Sequence, residues 1–283
     1  MNADLREMLT DIKAAARLGH IESLWAALDG FVALPEVNGN AAMPDGFVEN
    51  VIVPIGTAVT HARIPPDQLL PLCDETLAGL RALGAVALAG HWLAEHNVDQ
   101  NILAALGRDA RAEVRLALAL ALRKGAPEKL DILFNAWSGD DSHRLRAVAV
   151  QLSPVLGQHT ALETLAGMHR ESDPDLRAAL AGALIELAQD EPYGVLELLE
   201  AWAAKPNAPY WVIAESVSSG WAAAHPERTL NLLELLTGDP KAVRRALKAL
   251  SRHGAADSVS ARLAGWLTHE DNQLKGIAER FTS

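Results

Sequence analysis

The feature that most narrows what this chain can fold into is a short pattern that keeps returning: an apolar residue, usually a basic one after it, then an Ala/Leu-rich run. Clear copies are Val114-Arg115, Leu145-Arg146, Leu176-Arg177, Val243-Arg244 and Leu274-Lys275, with Trp211-Val212 filling the remaining place without a basic residue. From position 114 to position 274 the intervals are 31, 31, 35, 32 and 31 residues. Leu80-Arg81 stands 34 residues before Val114, and Phe47-Val48 is a weaker copy another 33 before that. A period of this size marks a stack of supersecondary units.

Polar turns precede most copies: Arg108-Asp109, Gly139 to Ser142, Ser172-Asp173-Pro174, Pro206 to Pro209, Gly238-Asp239-Pro240 and Glu270-Asp271-Asn272. Asp and Ser accept from the unpaired N–H groups of a first helical turn, and Pro suits the first helical position, so a helix begins at each turn. A second set of starts lies between them, at Pro127, Pro192 and Pro226. Two helices per unit follow, and because a lone helical hairpin cannot bury its apolar face, the units must stack. Ahead of them, Leu5 to Leu18 and Ile21 to Val32 read as two helices capping the N-terminal end, with Pro35 to Gly46, including Asn38, Gly39, Asn40 and Pro44, as the best loop. The expectation is one domain over 1–283, with capping helices in 1–34 and repeats in 35–283.

Composition agrees with an all-α chain. Apolar residues make up 49%, aromatics only 5%, and Ala and Leu dominate, which favours helices packed closely through small side chains. The one cysteine, Cys73, excludes an internal disulfide framework, and Met1 to Leu18 lack the apolar core of a secretory signal, so a reducing cytoplasm is the expected location. Arg81 breaks the most apolar stretch, and His91 and Glu95 close it, so no membrane span is expected. The net charge of -11 argues against general attraction to polyanions. Residues 1–100 hold 5 Lys or Arg against 13 Asp or Glu, leaving 20 against 23 in the rest, so the acidity is concentrated in the first third.

Asp-Pro-Asp-Leu-Arg-Ala-Ala-Leu at 173–180 and Asp-Pro-Lys-Ala-Val-Arg-Arg-Ala-Leu at 239–247 resemble the turn and second helix of HEAT repeats, including the short bacterial lyase-type repeats. The resemblance covers roughly residues 65 to 283. It implies a right-handed α-α superhelix of about seven to eight stacked hairpins, an architecture that serves chiefly as an extended binding surface. Residues 202–254, with Trp211-Val212, Trp221, His225-Pro226-Glu227 and Val243-Arg244-Arg245-Ala246, are similar to the HEAT-like DNA-alkylation-repair glycosylases. That resemblance implies Trp211 or Trp221 for stacking on an alkylated base, Asp239 or Asp141 as the assisting carboxylate, and Arg244, Arg245 and Lys248 for phosphates. The Trp-Trp-Asp run of active members is not in this sequence.

Residue by residue, the candidates divide. Trp137, Trp202 and Trp266 fall 8, 9 and 8 residues before Leu145, Trp211 and Leu274, a position filled elsewhere by Leu106, Met168 and Leu235, so they read as core between helices. Trp211 takes the place of the pattern's aliphatic residue, and Trp221 follows near three serines. Lys241, Arg245, Lys248 and Arg252, at i, i+4, i+7 and i+11, form a positive stripe with Arg244 beside it, opposite an apolar face of Val243, Ala246, Leu247 and Leu250. His91 and His96, five apart, should point away from each other on a helix, and no metal-ligand set or cofactor motif is visible. Cys73 among leucines reads as buried, and Asp140 and Asp141 as caps and not an acid/base pair.

Two functions are therefore expected in competition. One is a non-catalytic scaffold or adaptor that holds a partner, most simply a protein, on its inner helices. The other is a nucleic-acid-binding protein or glycosylase of the alkylation-repair type, acting through the 241–252 stripe with Trp211 and Trp221.

Overall fold

The recurring arginine has a mechanical task in the first half of the chain. In the computed structural model, which describes residues 3–39, 41, 43–61, 64–156 and 158–282, Arg115 Nη1 donates to the carbonyl oxygens of Asp109 (2.8 Å) and Ala110 (3.0 Å). Arg146 Nη1 likewise donates to those of Asp140 (2.7 Å) and Asp141 (3.1 Å). Turn carbonyls have no helical donor of their own, and a hydrogen bond from a charged donor contributes about 1.5–3 kcal/mol. At these two turns an arginine six residues on from the turn aspartate thus braces the start of the helix that follows.

Every regular element among the described residues is helical. The chain divides into two compact units, Met1–Leu152 and Ser153–Ser283. In the first, α1 (Ala3–Leu18) and α2 (Ile21–Val32) form the expected N-terminal pair, and the predicted loop opens with one helical turn, α3 (Pro35–Asn38), closed by Gly39 in the left-handed region. Asn40 of that loop lies outside the described residues. Then come α4 (Val53–Thr60), α5 (Pro66–Asp74), α6 (Ala78–Leu93), α7 (Gln100–Gly107), α8 (Ala112–Leu122), α9 (Pro127–Trp137) and α10 (His143–Leu152). Helices α4, α6, α8 and α10 lie side by side in that order, while α5 packs on α6, α7 on α8 and α9 on α10.

Helix α6 is buried almost all round: Leu80, Leu83, Val86 and Leu88 are covered, and so are the alanines between them. Small residues let its neighbours approach. A Cβ on Gly56 of α4 would fall 2.5 Å from Val86 Cβ, and one on Gly84 would fall 2.9 Å from both Leu72 Cβ and Cys73 Sγ. Arg81, the charge inside this apolar run, is met by Asp109, whose Oδ2 lies 2.5 Å from Arg81 Nε. Asp109 also accepts from Arg111 Nε (2.8 Å) and Nη2 (2.9 Å), and Arg111 Nη1 donates to Thr76 O (2.7 Å). The carboxylate therefore joins the turn before α8 to the preceding hairpin.

The second unit holds α11 (Gln158–Ala166), α12 (Pro174–Leu187), α13 (Pro192–Ala203), α14 (Tyr210–Ser216), α15 (Gly220–Ala223), α16 (Pro226–Glu234), α17 (Pro240–Leu250), α18 (Ala256–Leu267) and α19 (Asn272–Thr282). Two rows are visible in its contacts. Helices α11, α13, α16 and α18 touch in succession, and so do α12, α14, α17 and α19. The starts follow the expected chemistry: Asp173 Oδ1 accepts from Asp175 and Leu176 N–H, Asp239 Oδ1 from Ala242 N–H, and Pro192 and Pro226 occupy first helical positions. Trp137, Trp202 and Trp266 are buried, with Trp202 Nε1 donating to Ala166 O (3.1 Å) and Trp266 Nε1 to Glu234 Oε1 (2.7 Å). Leu235 departs from this rule. It is 52% exposed, because α16 ends at Glu234 and the final turn sends Leu236, fully buried, inward in its place.

Burial alone would raise the Asp109 carboxyl, but hydrogen bonds from Arg111 and the charges of Arg111 and Arg81 overcome it and hold it down at about 2, against an ordinary 3.8. Because the folded value is the lower one, its stabilisation is complete above about pH 4 and is lost as pH falls toward 2, a contribution of about 2 kcal/mol at neutral pH. Asp109→Asn should lower the unfolding free energy in urea by about that amount at neutral pH. The gap should shrink on acidification, and a gap constant between neutral pH and pH 3 would contradict the assignment.

Candidate anion-binding face

Helix α17 begins where Asp239 caps Ala242 N–H (3.1 Å) and Pro240 opens the first turn. Ala242, Val243, Ala246, Leu247 and Leu250 are buried, which forces Lys241, Arg245 and Lys248 to the exposed side, with Arg244 half-buried at the margin. After Leu250 the backbone widens into a π turn, Ser251–Ala255, and stops at Gly254 with φ +108, a conformation that disfavours any side chain. Arg252 sits exposed in that turn. All five cations of the predicted stripe share one face and, with Ala249, line a hollow of about 300 Å³.

Their electrostatic state is uneven. Arg245 Nη2 is 2.6 Å from Glu215 Oε2 of α14. Among the described residues, no carboxylate stands within ion-pair distance of Lys241, Arg244, Lys248 or Arg252. Arg244 occupies the same place in the pattern as Arg115 and Arg146, yet its Nη1 is buried with no hydrogen-bond partner, so the turn brace of the first unit is not made here.

The two candidate tryptophans separate. Trp211, on α14, is half-buried, and the guanidinium carbons of Arg177 (α12) and Arg245 (α17) each stand 5.7 Å from its ring centroid. Each such contact contributes about 0.5–1 kcal/mol, and together they fix the ring and both arginines. Trp221, on α15 and not on an extension of α14, is 8% exposed, and its Nε1 donates to Ser216 O (3.0 Å). It is a core side chain and does not line the hollow. Of the carboxylates that the glycosylase resemblance singled out, Asp239 is engaged as the cap of α17, while Asp141 lies exposed in the first unit beside its α10 turn.

The histidine pair overturns the helical-spacing expectation. Helix α6 ends at Leu93, and Glu95 adopts φ +62. His96 N–H donates to His91 O (3.0 Å) and Glu95 N–H to Trp92 O (3.1 Å), the bond pattern of a Schellman turn, which brings the residue after the left-handed position back over the last full turn. His96 Nδ1 thereby lies 2.6 Å from His91 Nδ1. His91 is 2% exposed, and burial, aided by the charge of His96, lowers its pKa. The missed signal was a helix stop carried by Glu95, where glycine is the usual marker. Among the described residues no three potential ligands group into a metal site, and no helix is long and apolar enough to cross a membrane.

No protein-family model matches the chain, and no curated protein matches it.

Cys73 is covered beneath α6, and burial, with a smaller push from Asp74 against the pull of Arg81, raises its thiol to about 12. A thiol so held carries almost no thiolate at neutral pH. Ellman's reagent should label it slowly in the folded protein and fast in urea, and rapid labelling of the folded chain would show that Cys73 is accessible after all.

Proposed function

We propose that this chain is a non-catalytic binding module, a right-handed superhelix of HEAT-like hairpins whose row of second helices receives an acidic segment of a partner protein along α17. The repeat assignment is supported by the two rows of helices in the second unit and by the Asp and Pro helix starts that recur with the pattern. One observation carries the functional reading. In a chain with 36 acidic residues against 25 basic ones, four cations of a single helix face stand without a carboxylate partner among the described residues. Like charges three and four apart destabilise a helix by about 0.2–0.5 kcal/mol per pair, so an arriving anion relieves repulsion as well as forming new bonds.

Several features favour an acidic protein segment over duplex DNA. From Lys241 to Arg252 the stripe runs roughly 16 Å along the helix, a short track for a polymer bound through many phosphates. The surrounding chain is acidic, which opposes a long polyanion. Trp211 already has two guanidinium groups against its ring, which compete with a base for it.

The test uses the full chain and a fluorescent oligoglutamate peptide, followed by polarisation across a salt series. Binding should weaken as salt rises, and the double reversal Arg245→Glu/Lys248→Glu should weaken it by at least about tenfold while the helical circular dichroism is kept. No binding at low salt, or binding indifferent to the double reversal, removes the proposal. Tighter binding of a short duplex than of the peptide transfers the face to the nucleic-acid reading.

A further inference from the structure

We infer that the hollow on α17 is a phosphoryl-group site, so that the partner segment is recognised through a phosphorylated side chain; this rests on the reading of α17 as the binding face. Shape is the first reason. Lys241, Arg244, Arg245, Lys248 and Arg252, together with Ala249, border one open space of about 300 Å³. Cations gathered around one open space suit a compact group of high charge better than a string of single carboxylates. A phosphate monoester carries about -1.5 to -2 on three acceptor oxygens near neutral pH.

The residue types point the same way. Three of the five cations are guanidinium groups, whose planar forks bind phosphate oxygens in pairs, while lysine acts as a point charge. Arg245 is held in position before any ligand arrives, by Glu215 at 2.6 Å and by the face of Trp211, so little side-chain freedom is lost on binding.

Arg244 supplies an independent observation. At the equivalent place Arg115 and Arg146 use the same nitrogen, Nη1, for two turn carbonyls each, whereas Arg244 Nη1 is closed off from solvent with no acceptor. An N–H donor left in that condition is costly, and the guanidinium that bears it forms part of the wall of the hollow. Nη1 itself is shielded, so what the missing turn bond leaves uncommitted is the guanidinium as a whole, which lines the hollow.

Three fluorescent peptides of one acidic sequence, carrying serine, glutamate or phosphoserine at a central position, test this with the full chain. The phosphoserine peptide should bind about tenfold tighter than the glutamate peptide, the serine peptide weakest. Arg244→Lys, which keeps the charge and removes the fork, should weaken phosphoserine binding more than glutamate binding, shrinking their ratio to about twofold. Circular dichroism of the variant confirms that the helices are retained. Equal binding of the phosphoserine and glutamate peptides overturns the phosphoryl inference and leaves the acidic-segment reading standing. Binding of none of the three ends both, and a short duplex that outcompetes the phosphoserine peptide overturns the choice of a protein segment.

Discussion

The structure depends on how each inter-helix turn is held. A turn between antiparallel helices exposes carbonyl groups that no helical N–H can reach, and in the first unit the arginine of the following helix supplies the missing donors. Asp109 shows how far the arrangement extends. Its backbone accepts from Arg115 while its carboxylate holds Arg81 and Arg111, so one turn ties two consecutive hairpins. Apolar stacking supplies most of the area buried, but it is non-directional. The charged bonds at the Asp109 and Asp140 turns are directional and fix the starts of α8 and α10.

The same logic separates structural cations from available ones. In the first unit the pattern's arginines are absorbed by their turns, and Arg81 by Asp109. In the second, Arg177 faces Trp211, and Arg244 makes no turn bond. A basic residue that keeps its place in the repeat while losing its bond to the turn is no longer accounted for by the fold. Around Arg244, Lys241, Lys248 and Arg252, which have no carboxylate partner among the described residues, turn that local departure into an electropositive hollow.

Much of the helical layout was legible along the chain. Pro127, Pro192, Pro226 and Pro240 stand at the first turns of their helices because each lacks only an N–H that a first turn does not use. The α17 stripe was legible too, since a 3.6-residue period puts Val243, Ala246, Leu247 and Leu250 on one side and obliges Lys241, Arg245 and Lys248 to the other. Periodicity failed where a helix stopped early. His91 and His96 meet because the backbone reverses at Glu95, and Leu235 faces solvent because α16 has already ended.

By itself the sequence determined where the helices marked by Asp or Pro start and which side of an amphipathic helix such as α17 turns inward, because capping chemistry and apolar period act over a few residues. Only the tertiary structure decided how individual charged and aromatic side chains are used. Trp211 and Trp221 are the same residue ten positions apart, yet one is gripped by two arginines from neighbouring helices and the other is closed into the core. Arg115 and Arg244 share one place in the repeat, yet one is bonded to its turn and the other is not. The arginines against Trp211 come from α12 and α17, helices distant in the chain, and a local pattern carries no record of the distance between them.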